Sequence, residues 1–185
     1  MAHTFDPANA HRLEDPGRYR FCSREELVAL LDVDPDTVVA DLGSGTGFYT
    51  SDVAPYVGRV YGVDVQPVMH GKFVSKGVPG NVRLVAAEVA DFPFDDATLD
   101  AVYSTMTFHE FAGTGAIAEV ARALRPGGRF VAVDWSAAGE GEAGPPKGEL
   151  HDLASAADLV EGAGFRVESG RERPETFALA AGVEE

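Results

Sequence analysis

The chain has 185 residues, 45% hydrophobic and 24% charged, a composition that suits a single globular domain with its own core. Acidic residues outnumber basic ones by 30 to 15, a formal net charge of -15, which disfavours nucleic-acid phosphates and anionic membranes as partners. A single cysteine, Cys22, excludes an internal disulfide framework and any multi-cysteine zinc site, so no metal site is expected.

Only Lys72, Lys76 and Lys147 are lysines, and the one close basic grouping, Arg18, Arg20 and Arg24, is flanked by Glu14, Asp15, Glu25 and Glu26. Acidic excess, scarce lysine and abundant Ala, Gly and Asp read as adaptation to high salt, because self-repulsion in dilute buffer otherwise costs stability. No apolar run approaches the ~18 residues of a membrane span, and the first residues lack a signal-peptide core. The expectation is a soluble, cytoplasmic protein.

In chain order, residues 1–22 carry Pro7, Pro16 and Gly17 and are expected to be irregular, wrapping over the sheet as a lid. Ser23-Arg-Glu-Glu26 has the form of a capping box and opens a helix carrying Leu27, Leu30 and Leu31. Apolar runs of strand length follow at Thr37–Leu42, Arg59–Asp64, Val82–Ala86, Leu99–Ser104 and Arg129–Asp134. Helical patterns lie between them, clearest in Gly115–Leu124, where Ile117, Val120, Ala121 and Leu124 share a face. Alternation of this kind is the mark of a parallel α/β sheet.

After the fifth strand, Ala137–Gly148 is rich in Gly, Glu and Pro and reads as a mobile loop. Asp152–Ala163 is a helix stopped by Gly164, and Phe165–Ser169 and Thr176–Ala181 are two closing strands. The whole is an α/β three-layer sandwich of Rossmann-like type with seven strands. Residues 23–136 form its cofactor-binding half and 149–185 its closing helix and hairpin.

The strongest motif is Val38-Val-Ala-Asp-Leu-Gly-Ser-Gly-Thr-Gly47. A strand runs into Asp41 and then into three glycines, which make a tight turn and let the backbone approach a ligand. The nicotinamide version of this turn needs a further glycine where Phe48 stands, which counts against a dehydrogenase. Asp64 ends the second strand about 20 residues after the first glycine, the position from which a carboxylate accepts ribose hydroxyls. Beyond the third strand, either Glu88 or Asp91 can accept from an adenine amino group, with the Val89 N–H beside it.

The series Asp41–Gly47, Asp64, Glu88–Phe94, Leu99–Val102 and Leu124-Arg-Pro-Gly-Gly128 resembles the class I methyltransferases. Within them it is most similar to the small-molecule, ubiquinone/menaquinone-biosynthesis-like group, methyltransferase type 11. Phe5-Asp6, Leu13-Glu-Asp-Pro16 and Gly144-Pro-Pro146 resemble small prokaryotic members, so the likeness covers most of the chain. The resemblance implies an antiparallel last strand and S-adenosylmethionine as cofactor, with S-adenosylhomocysteine as product. It assigns the methionine part to Asp41, Gly43, Ser44, Gly45, Thr46 and Gly47, and the ribose to Asp64 with Val65. The adenine falls to Glu88 and Val89, while Ser104 and Thr105 lie at the end of the fourth strand. Relatives often have Gly-Asp-Ala where this chain has Ala87-Glu-Val89, and a longer helix than the short segment Met69–Gly80.

Methyl transfer from a sulfonium needs alignment more than side-chain chemistry, so no catalytic residue is obligatory. The candidate base is His109, which follows the fourth strand and titrates near neutrality; the alternative is a His that caps or packs there. No Asn-Pro-Pro-Tyr or Asp-Pro-Pro-Tyr follows that strand, which disfavours nucleobase or glutamine acceptors. The expected partner is a small, rather apolar acceptor methylated on oxygen, carbon or nitrogen. A non-catalytic cofactor-binding module and a nucleotide-dependent oxidoreductase are the competing classes.

Overall fold

A computed structural model describes residues 4–184. Its centre is a seven-stranded sheet: β1 (Val38–Leu42), β2 (Arg59–Asp64), β3 (Val82–Ala86), β4 (Leu99–Thr105), β5 (Leu124–Trp135), β6 (Phe165–Glu172) and β7 (Thr176–Val183). The spatial order is β3-β2-β1-β4-β5-β7-β6, with β7 antiparallel to both its neighbours and every other pairing parallel. The chain therefore winds outward from β1 in one direction, then returns to start β4 on β1's other side. Open sheets bind ligands in the crevice that such a reversal leaves at the carboxyl ends of the strands.

Both faces of the sheet are apolar because successive strand residues point to opposite sides. On β5, Phe130 and Ala132 join one core while Val131 and Val133 join the other. The first core is closed by α4 (Phe108–Phe111), α5 (Thr114–Ala123) and α6 (Leu153–Gly162), through Phe108, Ile117, Val120 and Val160. The second is closed by α1 (Arg24–Leu31), α2 (Phe48–Val53) and α3 (Pro67–Lys76), through Leu27, Leu31, Val53 and Phe73.

The strand expectations match to within one residue, except at three places. β5 begins at Leu124, which pairs with Leu99, and absorbs the Arg125-Pro-Gly-Gly128 excursion as an irregularity with Gly127 at φ 73°. β6 and β7 run three and two residues further than expected, since each pairs along its length with the other.

The short segment at Met69–Gly80 is a regular ten-residue helix begun earlier, at Pro67, whose fixed φ suits a first helical position. Residues 4–22 are not irregular. They form two 3₁₀ turns, Pro7–Glu14 and Pro16–Arg20, each started by an Asp-Pro pair. Asp6 accepts the Ala8 N–H at 2.9 Å and Asp15 the Gly17 N–H at 2.8 Å, so each aspartate caps the turn its proline begins. Residues 1–3 of the expected lid lie outside the described residues.

At Ser23 the side chain accepts the Glu26 N–H at 3.2 Å, while the complete reciprocal box is made by Asp152 and Ser155 ahead of α6. Among the described residues no helix is long and apolar enough to cross a membrane.

Candidate functional site

At the carboxyl ends of β1, β2 and β4 the chain encloses a cavity of about 560 Å³, a volume within the range of small-molecule sites. Its floor is the turn after β1, where Gly43, Gly45 and Gly47 all take positive φ (72°, 54° and 80°). A Cβ on Gly43 would lie 2.2 Å from Thr107 Cγ2, and one on Gly47 would lie 2.1 Å from the Phe73 ring. The turn thus needs glycine for its conformation and for close packing from both sides. The N–H groups of Gly43 and Ser44 both donate to the Val63 carbonyl, at 2.8 and 3.0 Å, which ties the turn to the end of β2.

Asp64 fixes the same turn from the next strand. One carboxylate oxygen accepts the Gly45 N–H and the other the Gln66 N–H, both at 2.8 Å. Asp41 is buried beneath the turn: Oδ2 accepts from the Thr50 hydroxyl at 2.6 Å, while Oδ1 has no partner among the described residues. Burial pushes its carboxyl up to about 7, against the Thr50 and Tyr103 hydroxyls, which act the other way. Ser44 Oγ is a second buried polar atom without a partner.

The cavity wall brings together most of the residues expected at a ligand site. Asp41, Gly43, Ser44, Gly45, Thr46, Asp64, Val65, Glu88, Val89 and Thr105 all line it. Gly47 does not, because it is packed against Phe73 as the turn enters α2. Ser104 is fully buried within β4 and also lies off the wall. Of the two carboxylates after β3, Glu88 reaches the cavity and Asp91 does not.

His109 is not on the wall either. Asp134, fully buried near the end of β5, accepts the His109 backbone N–H at 2.6 Å and meets its Nδ1 at 2.9 Å. Burial lowers the imidazole's affinity for a proton, but the hydrogen bond and charge of Asp134 outweigh it and raise the pKa above its ordinary value. The neighbouring Glu110 faces the cavity instead. Consecutive helix residues project about 100° apart, so with His109 turned toward Asp134, Glu110 points to a different side, the one that meets the cavity. Burial pushes the Glu110 carboxyl up to about 7, with the charge of His109 opposing the shift. Phe111 and Ala116 complete that side.

The N-terminal turns cross over the glycine loop. Thr4, Phe5, Leu13 and Arg18, all within the segment expected to lie over the sheet, line the cavity. Glu14 anchors them, accepting from the Thr46 hydroxyl and from Lys76 Nζ at 2.8 Å. Gln66 Nε2 donates to the Phe5 carbonyl at 2.9 Å, and Tyr49 donates its hydroxyl to the Cys22 carbonyl at 3.1 Å. Cys22 itself is a buried filler whose thiol burial pushes up to about 12.

The Gly-rich loop Ala137–Gly148 lies elsewhere: none of its residues lines the cavity. Glu175, next to the start of β7, accepts the N–H groups of Gly141, Glu142 and Ala143 at 3.2 to 3.4 Å, and Lys147 Nζ donates to the Gly139 carbonyl. Through these backbone N–H groups the loop is folded onto the β6–β7 hairpin.

A doubly wound sheet with a glycine turn, a carboxylate ending the next strand and one cavity above them defines a Rossmann-like ligand-binding domain of the methyltransferase type. Residues 40–132 match the methyltransferase domain family, and the chain belongs to that family. The crystal structure of a SAM-dependent methyltransferase from Aquifex aeolicus superposes with a TM-score of 0.89 at 28% identity, covering 97% of this chain and 100% of that one. A demethylmenaquinone methyltransferase of Corynebacterium kroppenstedtii is 35% identical over 107 residues, 57% of this chain and 45% of the relative. A sterol 4-C-methyltransferase of Caenorhabditis elegans is 28% identical over 109 residues, 56% and 33% respectively. The chain spans less than half the length of these two curated relatives.

Proposed function

We propose that the chain binds S-adenosylmethionine in this cavity and transfers its methyl group to a small, rather apolar acceptor. The observation that carries the reading is the unpartnered Oδ1 of Asp41, a buried acceptor at the foot of a cavity whose other walls are Asp64 and Glu88. A buried carboxylate oxygen without a donor is costly, and the ammonium of an amino-acid moiety is the donor that removes the cost.

When bound, the cofactor supplies a methyl group on a sulfonium that an oxygen, nitrogen or carbon nucleophile displaces. The chain's own residues hold and align. Asp41 and the turn Gly43–Thr46 take the methionine part, with Gly47 and Ser104 supporting that floor from beneath. Asp64, with Val65, retains lone pairs beyond the two backbone N–H groups it accepts and takes the ribose hydroxyls. Glu88 and Val89 take the adenine, and Thr105 bounds the cavity at the end of β4. Phe111 and Ala116 give the acceptor an apolar wall, which suits the ring compounds named for the sterol and menaquinone relatives.

Glu110 is the group on that wall able to accept a proton near neutrality, while Asp134 holds His109 off it. The acidic surface fits a cytoplasm of high salt, where the excess charge is screened.

Calorimetric titration with S-adenosylhomocysteine and with nicotinamide dinucleotides separates this reading from an oxidoreductase. Release of S-adenosylhomocysteine from S-adenosylmethionine and a panel of quinols, sterols and phenols separates it from a non-catalytic binding module. Binding of nicotinamide dinucleotide in place of S-adenosylhomocysteine would overturn the reading.

A further inference from the structure

Arg18 is a cation without an anion. It lies in the second N-terminal turn and reaches the cavity wall, where Nη1 donates to the Leu13 carbonyl at 2.8 Å and Nη2 approaches Met106 Sδ at 3.8 Å. The guanidinium sits over the rings of Phe48 and Tyr49, 5.2 and 5.0 Å from their centroids, which fixes its plane. Among the described residues it forms no ion pair. The nearby Glu14 is already engaged by Lys76 and Thr46. Asp41 is near enough for each charge to act on the other, yet the two groups do not touch.

A guanidinium and a carboxyl group therefore line one cavity, partly or fully removed from water, each short of a charged partner. A neutral ligand leaves both uncompensated, and an anion or a cation alone serves only one. A zwitterion serves both. We propose that Arg18 is the binding residue for the α-carboxylate of the cofactor's amino-acid moiety, opposite Asp41, which takes the ammonium. The proposal rests on the cofactor reading above and extends it: the N-terminal turns form part of the cofactor site and are locked down by the ligand's carboxylate. Arginine suits the role because its planar fork meets a carboxylate with two parallel hydrogen bonds, and its remaining N–H donors are free to do so.

The test uses the whole chain, isothermal titration calorimetry at one fixed salt concentration, and three ligands. S-adenosylhomocysteine carries the carboxylate, its decarboxylated analogue lacks only that group, and 5′-methylthioadenosine lacks the whole amino-acid moiety. Wild type should bind S-adenosylhomocysteine roughly 10- to 100-fold more tightly than the decarboxylated analogue. Arg18→Ala should remove that preference while leaving the other two ligands within about twofold of wild type. Arg18→Lys, which keeps the charge without the fork, should fall between.

Equal affinity of wild type for the acid and its decarboxylated analogue overturns the proposal, even if the variants fail to fold. So does an Arg18→Ala protein that loses affinity equally for all three ligands, since that marks a structural role. A wild type that binds none of the three removes the cofactor reading itself, and the proposal with it. Failure of the proposal alone is different, because S-adenosylhomocysteine then still binds.

Discussion

Asp64 Oδ2 accepts the backbone N–H of Gly45 at 2.8 Å, across 19 residues of chain, so one side chain ties the end of β2 to the centre of the glycine turn. With its second oxygen on Gln66, Asp64 orders the floor of the cavity before any ligand arrives. Asp64→Ala should therefore do two things at once. It should weaken S-adenosylhomocysteine binding by ~1.5–3 kcal/mol, the cost of losing hydrogen bonds to a charged group. It should also lower the melting temperature, because two N–H groups lose their acceptor. Calorimetry and thermal denaturation of the same sample check both, and undiminished affinity with the fold intact would remove Asp64 from the ligand site.

Asp41 predicts a pH dependence. Its folded-state carboxyl is raised from 3.8 to about 7, so the native state holds a proton that the unfolded chain releases. Stability from this group is fully present below about pH 4 and is lost as pH rises through about 7. Asp41→Asn should flatten that slope and raise the melting temperature of the ligand-free protein at pH 8. The same variant should bind S-adenosylhomocysteine at least ~10-fold more weakly, having lost the charge that faces the ammonium. Melting curves from pH 4 to 8, with and without ligand, decide it; a variant as steep as wild type would mean Asp41 is already ionised.

The His109–Asp134 pair predicts a slope of the same sign, from a group of opposite charge type. His109 is raised above its ordinary 6.5 by Asp134, so its contribution is present below that value and is lost as pH climbs through the folded pKa. His109→Ala should cost more stability at pH 6 than at pH 9. Asp134→Ala should cost roughly 3–5 kcal/mol, because the His109 and Trp135 N–H groups and the imidazole lose one buried acceptor. Urea denaturation at the two pH values measures both, and equal losses for His109→Ala at pH 6 and 9 would show the imidazole to be neutral throughout.

The net charge of -15 predicts a response to salt. Stability should rise between dilute buffer and molar KCl, where the Debye length falls to about 3 Å and self-repulsion is screened. Salt exclusion from apolar surface acts in the same direction, so a variant neutralised at exposed Asp36, Asp158 and Glu161 is the control. It should be more stable than wild type in dilute buffer and gain less from salt. A flat wild-type response, or an equal gain in the variant, would break the link between acidity and salt.

Much of the architecture was legible in the chain. β2 and β3 run over the expected residues and β1 and β4 to within one, because a buried parallel strand is a short, nearly continuous apolar run and each here is bounded by turn residues. The edges of the reading blurred where pairing partners set the length: β5 begins five residues early because Leu124 finds Leu99. The loop Ala137–Gly148 had the composition of a mobile segment, but Glu175, more than thirty residues further on, supplies the acceptor that orders it.

By itself the sequence determined the sheet, the glycine turn and the carboxylate that follows it, since each depends on residues adjacent or periodic along the chain. Backbone conformation and strand burial are local properties, written in glycine positions and apolar runs. Which of two adjacent polar side chains meets the cavity was decided only in three dimensions. His109 and Glu110 differ by one step along a helix, and it is the buried Asp134 on β5 that holds one inward and leaves the other facing the cavity. Arg18 was equally silent in the chain, one arginine in a basic trio beside acidic neighbours. Its role emerges from what it lacks, because whether a charge has a partner depends on how distant segments pack around it and on the water they exclude.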